Sequence, residues 1–400
     1  MWFRIAIAFA AISLATPVSA APAGETGKGA YLATVGDCAV CHTAPGRRDR
    51  PFAGGYPLHA SFGTVYSSNI TPDLTTGIGN WTPDQFYRAL THGIGIGGKH
   101  LYPAFPYPYF TNVPRADSDA LFAYLRTVRA VKYKPPHNHL IFPTDIRGMM
   151  TFWNALFLPQ SDFHPASSKP ADWNRGGELV HGLGHCGGCH TPKTFLFSDV
   201  TGELLQGGAI DGWYAPNLTG SSRTGLGQWS VADIESYLKT GSNRFERVAG
   251  AMQDVVGVST SRMTDGDREA IAVYLKSLPP APEKKPSAPP AEVMQIGQAA
   301  FFQNCSVCHA ADTKDYPLLG GNAIVRFDDP TTMLRVILQG SQSLATPGQP
   351  VGYSMPAFGY LTDAQIAEIA TYVRNSWGNH AGAVSPTQAA ELRHMVETRS

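Results

Sequence analysis

The sequence predicts an all-α fold made of three small helical domains in tandem. A Cys-x-x-Cys-His motif occurs three times along the 400 residues, and each copy lies in a repeated frame of amphipathic helical patterns. Gly (41 residues) and Pro (31 residues) are both abundant, which favours loops over regular sheet.

The composition is that of a globular chain. It is 43% hydrophobic and 16% charged, so it is too apolar for a disordered protein. Its 31 basic residues are balanced by 31 acidic ones, which leaves no cationic excess to hold nucleic acid. No apolar run reaches the ~20 residues that a transmembrane helix needs.

Residues 1–20 are predicted to be a cleaved signal peptide. Arg4 supplies the positive charge, residues 5–14 form a short apolar stretch, and Val18, Ser19 and Ala20 give a small-residue cleavage site. A short membrane anchor is the alternative, but ten apolar residues are too few to span a bilayer. We therefore expect an exported protein that begins near Ala21.

All six cysteines belong to the three motifs, which are Cys38, Cys41 and His42; Cys186, Cys189 and His190; and Cys305, Cys308 and His309. This spacing is the attachment signature of c-type haem. Two thiols add to the vinyl groups of one haem, and the adjacent His reaches the iron from the same helical turn. The sequence thus predicts three covalently bound haem c groups.

Other uses of these cysteines fit less well. A structural zinc site needs four ligands, usually from two such pairs, and a redox-active Cys-x-x-Cys would need a βαβ context that the sequence lacks. Disulfides are common in exported proteins, but the regular spacing and the adjacent histidines argue against them.

The repeat extends beyond the cysteines. Gly29 and Gly177 precede their motifs by nine residues and Gly297 by eight. The first two units correspond further: Asn69-Ile70-Thr71 matches Asn217-Leu218-Thr219, Trp81 matches Trp229, and Gly93 matches Gly241. Helical patterns at residues 83–90 and 231–238 also correspond. Each is preceded by an N-cap candidate, Thr82 or Ser230. Each unit is predicted to close with a helix, at residues 117–128, 265–278 and 362–377. These helices carry Tyr124, Tyr274 and Tyr372, which we expect to be core residues; the alternative is that their hydroxyls contact haem propionates.

We therefore predict cytochrome c-like domains at residues 21–135, 173–278 and 292–380. Residues 136–172 form a connecting segment, 279–291 a Pro-rich linker, and 381–400 a tail with a short helix. The linker is expected to separate the third domain and allow it to move.

A haem used only for electron transfer usually has a sixth iron ligand, commonly Met. Met355, in a Met-Pro loop before the last helix, is the candidate in the third unit. Met252 is the candidate in the second unit, with Met263 as a competitor at the helix start.

The first unit departs from this pattern because Phe105 stands where the repeat aligns Met252, and Phe cannot bind iron. Met150 is our preferred candidate. Met149, His100, His92 and an open or water-bound iron are the alternatives.

Nothing in the chain predicts that it oxidises an organic substrate itself. Residues 93–98 match Gly-x-Gly-x-x-Gly, but they follow a helix and lack a βαβ frame. No Ser/His/Asp set, flavin motif or carboxylate pair is apparent.

The phrases between the motifs resemble those of a known family, the three-haem cytochrome c subunits of membrane-bound bacterial dehydrogenases that oxidise alcohols, gluconate, sorbitol or fructose. The phrases are residues 101–108, 147–153, 213–219, 270–279 and 375–379. The resemblance implies that a flavin- or pyrroloquinoline quinone-bearing dehydrogenase subunit passes electrons to this chain. The chain would then reduce ubiquinone at the periplasmic face of the inner membrane, to which it attaches peripherally.

Two other functions fit the residues. One is a cytochrome subunit serving a terminal oxidase or reductase, and the other is a haem enzyme with an open first iron. The tail, with Leu392, Met395 and Val396, is expected to be either a solvated helix or a membrane-surface contact.

Overall fold

A computed structural model describes residues 23–60, 62–158, 163–309, 316, 318–343, 345–352 and 354–399. The predicted signal peptide lies outside these residues. The α-helices are α1 Ala23–Val35, α2 Cys38–Cys41, α3 Pro83–His92, α4 Arg115–Leu125, α5 Met149–Phe157, α6 Ala171–His181, α7 Gly187–His190, α8 Val231–Thr240, α9 Met252–Asp254, α10 Asp265–Lys276, α11 Ala291–Asn304, α12 Ser306–His309, α13 Ala323–Arg326, α14 Thr331–Gln339, α15 Asp363–Arg374 and α16 Pro386–Arg399. Single turns of 3₁₀-helix lie at Ile96–Gly98, Phe110–Asn112 and Thr260–Arg262, and a π-helical turn lies at Val255–Ser259.

The described residues also contain short strands, which sequence analysis did not predict. They are β1 Pro57–Ala60, β2 Gly63–Tyr66, β3 His139–Leu140, β4 Gly208–Ile210, β5 Trp213–Ala215, β6 Ser341–Gln342 and β7 Ser354–Met355. They form antiparallel sheets in the orders β1-β2-β3, β4-β5 and β6-β7. The all-α prediction is therefore confirmed only as a helix-rich structure.

Three helix pairs cross in the same way: α1 with α4, α6 with α10, and α11 with α15. At each crossing a glycine of the first helix lies directly against the backbone of the second. A Cβ on Gly29 would overlap the carbonyl oxygen of Ala120 and lie 2.7 Å from the Cβ of Tyr124. The absence of a side chain on the glycine is what allows the two helices to approach this closely.

The second and third crossings use Gly176 and Gly297. A Cβ on Gly176 would overlap the carbonyl of Ala270 and lie 2.7 Å from the Cβ of Tyr274. The sequence alignment of Gly177 with Gly29 was therefore wrong by one residue. Gly177 faces the ring of Phe163 instead, because one residue turns a helical position by about 100°.

The predicted caps are present. The side chains of Thr82 and Ser230 each accept a hydrogen bond from the backbone N–H of the third helical residue, and the side chain of that residue accepts one from the backbone N–H of the cap, which completes a capping box. The closing helices α4, α10 and α15 lie within a few residues of their predicted bounds.

The first two units share one apolar core. It joins residues such as Leu32 and Leu121 with Leu179 and Leu275. Hydrogen bonds also cross between them, since Tyr31 donates to Asp267 (2.6 Å). A separate core holds α11, α14, α15 and α16.

The Pro-rich linker is held down rather than free. The carboxylate of Glu283 accepts from the backbone and hydroxyl of Thr224 (both 2.8 Å). The third unit also docks on the second, where Thr332 exchanges two 2.8 Å hydrogen bonds with the backbone of Tyr214. In this structure the third unit is therefore anchored to the second at the linker and at Thr332, while its movement stays a prediction.

The tail helix α16 packs on the third unit through its apolar residues, a contact that neither expectation for the tail included. Leu392 is buried, Met395 and Val396 pack against the same core, and Arg393 pairs with Asp363 (2.8 Å). Within the described ranges, no helix is both long enough and apolar enough to cross a bilayer.

Candidate haem sites

The first two motifs hold their histidines in the same way. The Nδ1 atom of His42 lies 2.7 Å from the carbonyl oxygen of Ser68, and that of His190 lies 2.6 Å from the carbonyl oxygen of Pro216. A carbonyl can only accept, so the proton must be on Nδ1. Nε2 is therefore left with a free lone pair, as an iron ligand requires.

Each of these carbonyls directly precedes the repeated Asn-x-Thr phrase. The side-chain oxygen of Asn69 accepts from the backbone N–H of Thr71 (2.9 Å), and Asn217 does the same for Thr219 (2.8 Å). Both asparagines are buried and form tight turns. The repeat pointed to these residues, but sequence analysis gave them no role; the structure shows that their turns carry the carbonyls that hold the histidines.

Burial sets the protonation of the motif side chains. It lowers the pKa of His42 and of His190, which keeps both rings neutral and able to bind a metal. Burial raises the pKa of Cys38 to about 12 and that of Cys189 to about 11, so these thiols are not thiolates at neutral pH. All six cysteines are free of disulfides.

The third motif begins at Cys305, the C-terminal cap of α11, and ends with His309 on α12. Burial raises the pKa of Cys305 to about 11. Met355 lies on β7, and both Met355 and Cys305 pack against the core of the third unit. The structure therefore brings Met355 and this motif to one core.

Met252 begins α9 and packs against the core that also contacts Cys186. Met263, its competitor, is buried in that core two residues before α10 begins.

In the first unit an aromatic ring lies beside the motif histidine. The ring centroids of Phe105 and His42 are 6.4 Å apart, edge to face. Met150 is buried on α5 in a cluster with Tyr102, Tyr107 and Trp153, and Phe105 packs against that cluster.

The other candidates for this iron have different surroundings. Met149 is exposed. His100 has its Nδ1 3.4 Å from the amide nitrogen of Asn154, and His92 has its Nδ1 2.7 Å from the hydroxyl of Thr91. The assignment of Met150 stays a prediction.

The first two motifs face each other. Asp37 and His185 each directly precede the first cysteine of a motif, and Asp37 Oδ1 lies 3.7 Å from His185 Nε2. Both have a positive φ, 41° and 35°, so the chain makes the same sharp turn into each motif. Burial raises the pKa of Asp37.

A cavity of about 1580 Å³ lies between these motifs and extends to the third unit. Its lining includes Cys41, Cys189 and Gly340. This volume exceeds the ~300–1,000 Å³ of a typical ligand pocket. The cavity reaches the second cysteine of each of these motifs, and His42 and His190, neutral and with Nε2 free, follow those cysteines directly; this donor set fits covalently held haem.

Comparison with known proteins agrees with this chemistry. Residues 294–377 match the cytochrome c family model. The chain is 39% identical to the cytochrome c subunit of the quinone-dependent alcohol dehydrogenase of Gluconacetobacter polyoxogenes, over 92% of this chain and 83% of that protein. It is 38% identical to the gluconate 2-dehydrogenase cytochrome c subunit of Pantoea cypripedii (92% and 89%), and 36% identical to the fructose dehydrogenase cytochrome subunit of Gluconobacter japonicus (92% and 82%).

Proposed function

Because this chain belongs to the family of cytochrome c subunits of bacterial alcohol, gluconate and fructose dehydrogenases, we propose that it is the electron-transfer subunit of such a complex. It receives electrons from a catalytic subunit that carries a flavin or pyrroloquinoline quinone and delivers them to ubiquinone. The observation that carries the proposal is the matched pair of histidines, each held through Nδ1 by the carbonyl that precedes an Asn-x-Thr turn.

Three haem c groups are proposed, one in each of the domains 21–135, 173–278 and 292–380. The equivalent glycine crossings at Gly29, Gly176 and Gly297 support a common architecture for the three. The six cysteines would hold these haems through thioether bonds, and His42, His190 and His309 would each supply one iron ligand. When bound, each haem supplies a one-electron iron couple.

The residues of the chain position and tune this chemistry. The carbonyls of Ser68 and Pro216 fix the orientation of the histidine rings and make them more basic ligands. Met252 and Met355 are the proposed sixth ligands of the second and third sites, and Met150 that of the first.

The contact between Asp37 and His185 supports direct exchange of electrons between the first two sites, since it places their motifs side by side. The hydrogen bonds between Thr332 and Tyr214 support a fixed position for the third site.

We propose that the chain is exported and works at the periplasmic face of the inner membrane, attached peripherally. The leader pattern of residues 1–20 supports export. No role in binding nucleic acid is proposed.

The test is gentle purification of this chain in detergent from its own membranes. We expect a flavin- or quinone-bearing dehydrogenase in stoichiometric amount, and a complex that reduces quinone with an alcohol, sugar or sugar acid. Recovery of the chain alone, or with oxidase subunits, would overturn the proposal in favour of a free carrier or a terminal-oxidase partner.

One observation favours a second function. Phe105, rather than a methionine, lies beside His42. A haem enzyme with an open first iron would bind carbon monoxide rapidly at one haem of three. The electron-transfer proposal expects no such binding at neutral pH.

A further inference from the structure

A group of large apolar side chains is exposed on and around the connecting segment. The most exposed are Phe142 (79% exposed), Phe152 (69%), Leu156 (74%) and Phe195 (88%). Ile141, Ile146, Met149 and Leu196 are exposed with them. We call these eight residues the apolar surface.

The segments that carry the apolar surface contact one another. The backbone N–H of Ile141 donates to the carbonyl of Phe62 (3.0 Å), and the ring of Phe62 lies 5.3 Å from that of Phe197. The indole N–H of Trp153 donates to the carbonyl of Leu196 (2.8 Å). The end of β3, helix α5 and the loop around Leu196 therefore form one continuous patch.

Helix α5 is apolar on both sides. Met150 and Trp153 turn inward into the protein. Met149, Phe152 and Leu156, spaced three and four residues apart, turn outward. A helix at a water-facing surface normally carries polar residues on its outer side, so this side needs an apolar partner.

Positive charge adjoins the apolar surface. Between residues 129 and 158 the sequence holds four cationic residues, Arg129, Lys132, Lys134 and Arg147, and one acidic residue, Asp145. Arg129, Lys132 and Lys134 are exposed on the segment that leads directly into β3. Exposed apolar side chains beside a cationic run are the two features that bind a protein to an anionic lipid surface.

The side chains themselves favour a bilayer over a protein partner. The apolar surface presents only Phe, Leu, Ile and Met. Trp153 is buried, and the guanidinium of Arg147 lies 4.7 Å from the ring centroid of Tyr102. Protein interfaces draw most of their binding energy from Trp, Tyr and Arg, which this surface does not present.

The apolar surface adjoins the haem sites. Leu156, together with its neighbours Phe157 and Leu158, lines the same cavity as Cys41 and Cys189. A chain docked through this surface would hold the first two sites next to the bilayer.

We propose that the apolar surface docks into an anionic lipid bilayer. The inference rests on the proposed function only for the expectation of peripheral membrane attachment.

The test is co-sedimentation of the purified haem-loaded chain with vesicles of phosphatidylcholine containing about 30% phosphatidylglycerol. The variant is F142S/F152S/L156S. The matched control is L74S/I296S/F302S, which removes three exposed apolar side chains elsewhere. We expect the variant to bind at least tenfold more weakly than the wild type and the control to bind like the wild type.

Charge reversal tests the second feature. The variant K132E/K134E is expected to lose binding to the phosphatidylglycerol vesicles while its weaker binding to pure phosphatidylcholine is unchanged. Equal binding of wild type and F142S/F152S/L156S would overturn the proposal. So would a variant that still binds vesicles but no longer associates with the dehydrogenase subunit, because the surface would then be a protein interface.

A second measurement avoids dependence on the folding of a triple variant. Phe142→Cys is labelled with an environment-sensitive fluorophore and compared with Leu74→Cys. A blue shift on addition of vesicles is expected only at position 142, and no shift there would contradict docking. Electron transfer from the dehydrogenase to a water-soluble acceptor is measured separately in detergent. If the wild-type chain binds vesicles as expected but no electron transfer is measured, the proposed function is refuted and the proposed docking surface is not.

Discussion

Glu246 makes the stability of the chain depend on pH. Its side chain is only 3% exposed and lies where the second unit meets the third. The carboxylate accepts hydrogen bonds from the hydroxyl of Tyr237 and the backbone of Ile324, while Oε2 is buried without a partner. Burial is the largest effect, and it raises the pKa from 4.5 to about 7 despite the opposing hydrogen bonds and the charge of Arg326.

Because the pKa of Glu246 is raised in the folded chain, the unfolding free energy falls as the pH rises. The folded chain favours the protonated carboxyl more than the unfolded chain does, so its stabilising effect is complete below about pH 4.5 and is lost as the pH rises through about 7. One pKa unit corresponds to about 1.4 kcal/mol, so the shift corresponds to about 3 kcal/mol of unfolding free energy.

The perturbation is Glu246→Gln, which keeps an oxygen acceptor but cannot ionise. Between pH 5 and pH 8 the wild type should lose about 2.5 kcal/mol more stability than the variant, because the remainder is already lost below pH 5. With a urea dependence of about 3 kcal/mol per molar, the difference between their unfolding midpoints should change by about 1 M. Circular dichroism during urea unfolding at several pH values measures it.

Glu269→Gln, at an exposed position of α10, is the matched control and should follow the wild type at each pH. If Glu246→Gln also shifts in parallel with the wild type from pH 5 to pH 8, the reasoning is refuted.

Three further predictions concern the helix crossings and the haem sites. Gly176→Ala should lower the unfolding free energy by about 2 kcal/mol, because its Cβ would overlap the backbone of Ala270. The control Gly266→Ala, with open space around it, should not destabilise the chain. Equal melting temperatures of the two variants would contradict this. Asn217→Ala should loosen the turn that holds His190 and raise the reduction potential of one haem by about 40 mV, the equivalent of about 1 kcal/mol. A redox titration measures this change. If all three potentials are unchanged, Asn217 does not position His190. Met355→Ala should convert only the third haem to a high-spin, ligand-accessible form, and a spectrum that keeps all its Met-ligated iron would show the assignment to be wrong.

Local chemistry made part of the fold predictable. Thr82 and Ser230 cap their helices as expected, because a capping residue acts on the backbone only two or three positions ahead. The closing helices were predictable for a similar reason, since their apolar periodicity is written within a dozen residues.

Features that depend on contacts distant in sequence were missed. Gly176 could not be distinguished from Gly177 until α10 was placed against α6. The apolar residues of the tail suggested solvent or membrane, yet Leu392 is buried in the core of the third unit. The contact of the linker with the second unit was also missed, because Pro-rich composition does not reveal that Glu283 is anchored at Thr224.

In the candidate sites, too, nearby residues were predictable and contacts distant in sequence were not. The motifs identified the cysteines and histidines, but not the carbonyls of Ser68 and Pro216 that orient two of the rings. A backbone carbonyl has no residue type by which sequence could reveal it. The repeated Asn-x-Thr phrase was the only local sign of its position.

The central claim is that this chain carries electrons from a dehydrogenase subunit to ubiquinone. The most direct measurement is anaerobic stopped-flow spectroscopy of the purified complex. Addition of the dehydrogenase substrate should reduce the c-type haems, and a ubiquinone analogue added next should reoxidise them. Haems that stay oxidised with substrate, or stay reduced with the quinone, would contradict the account.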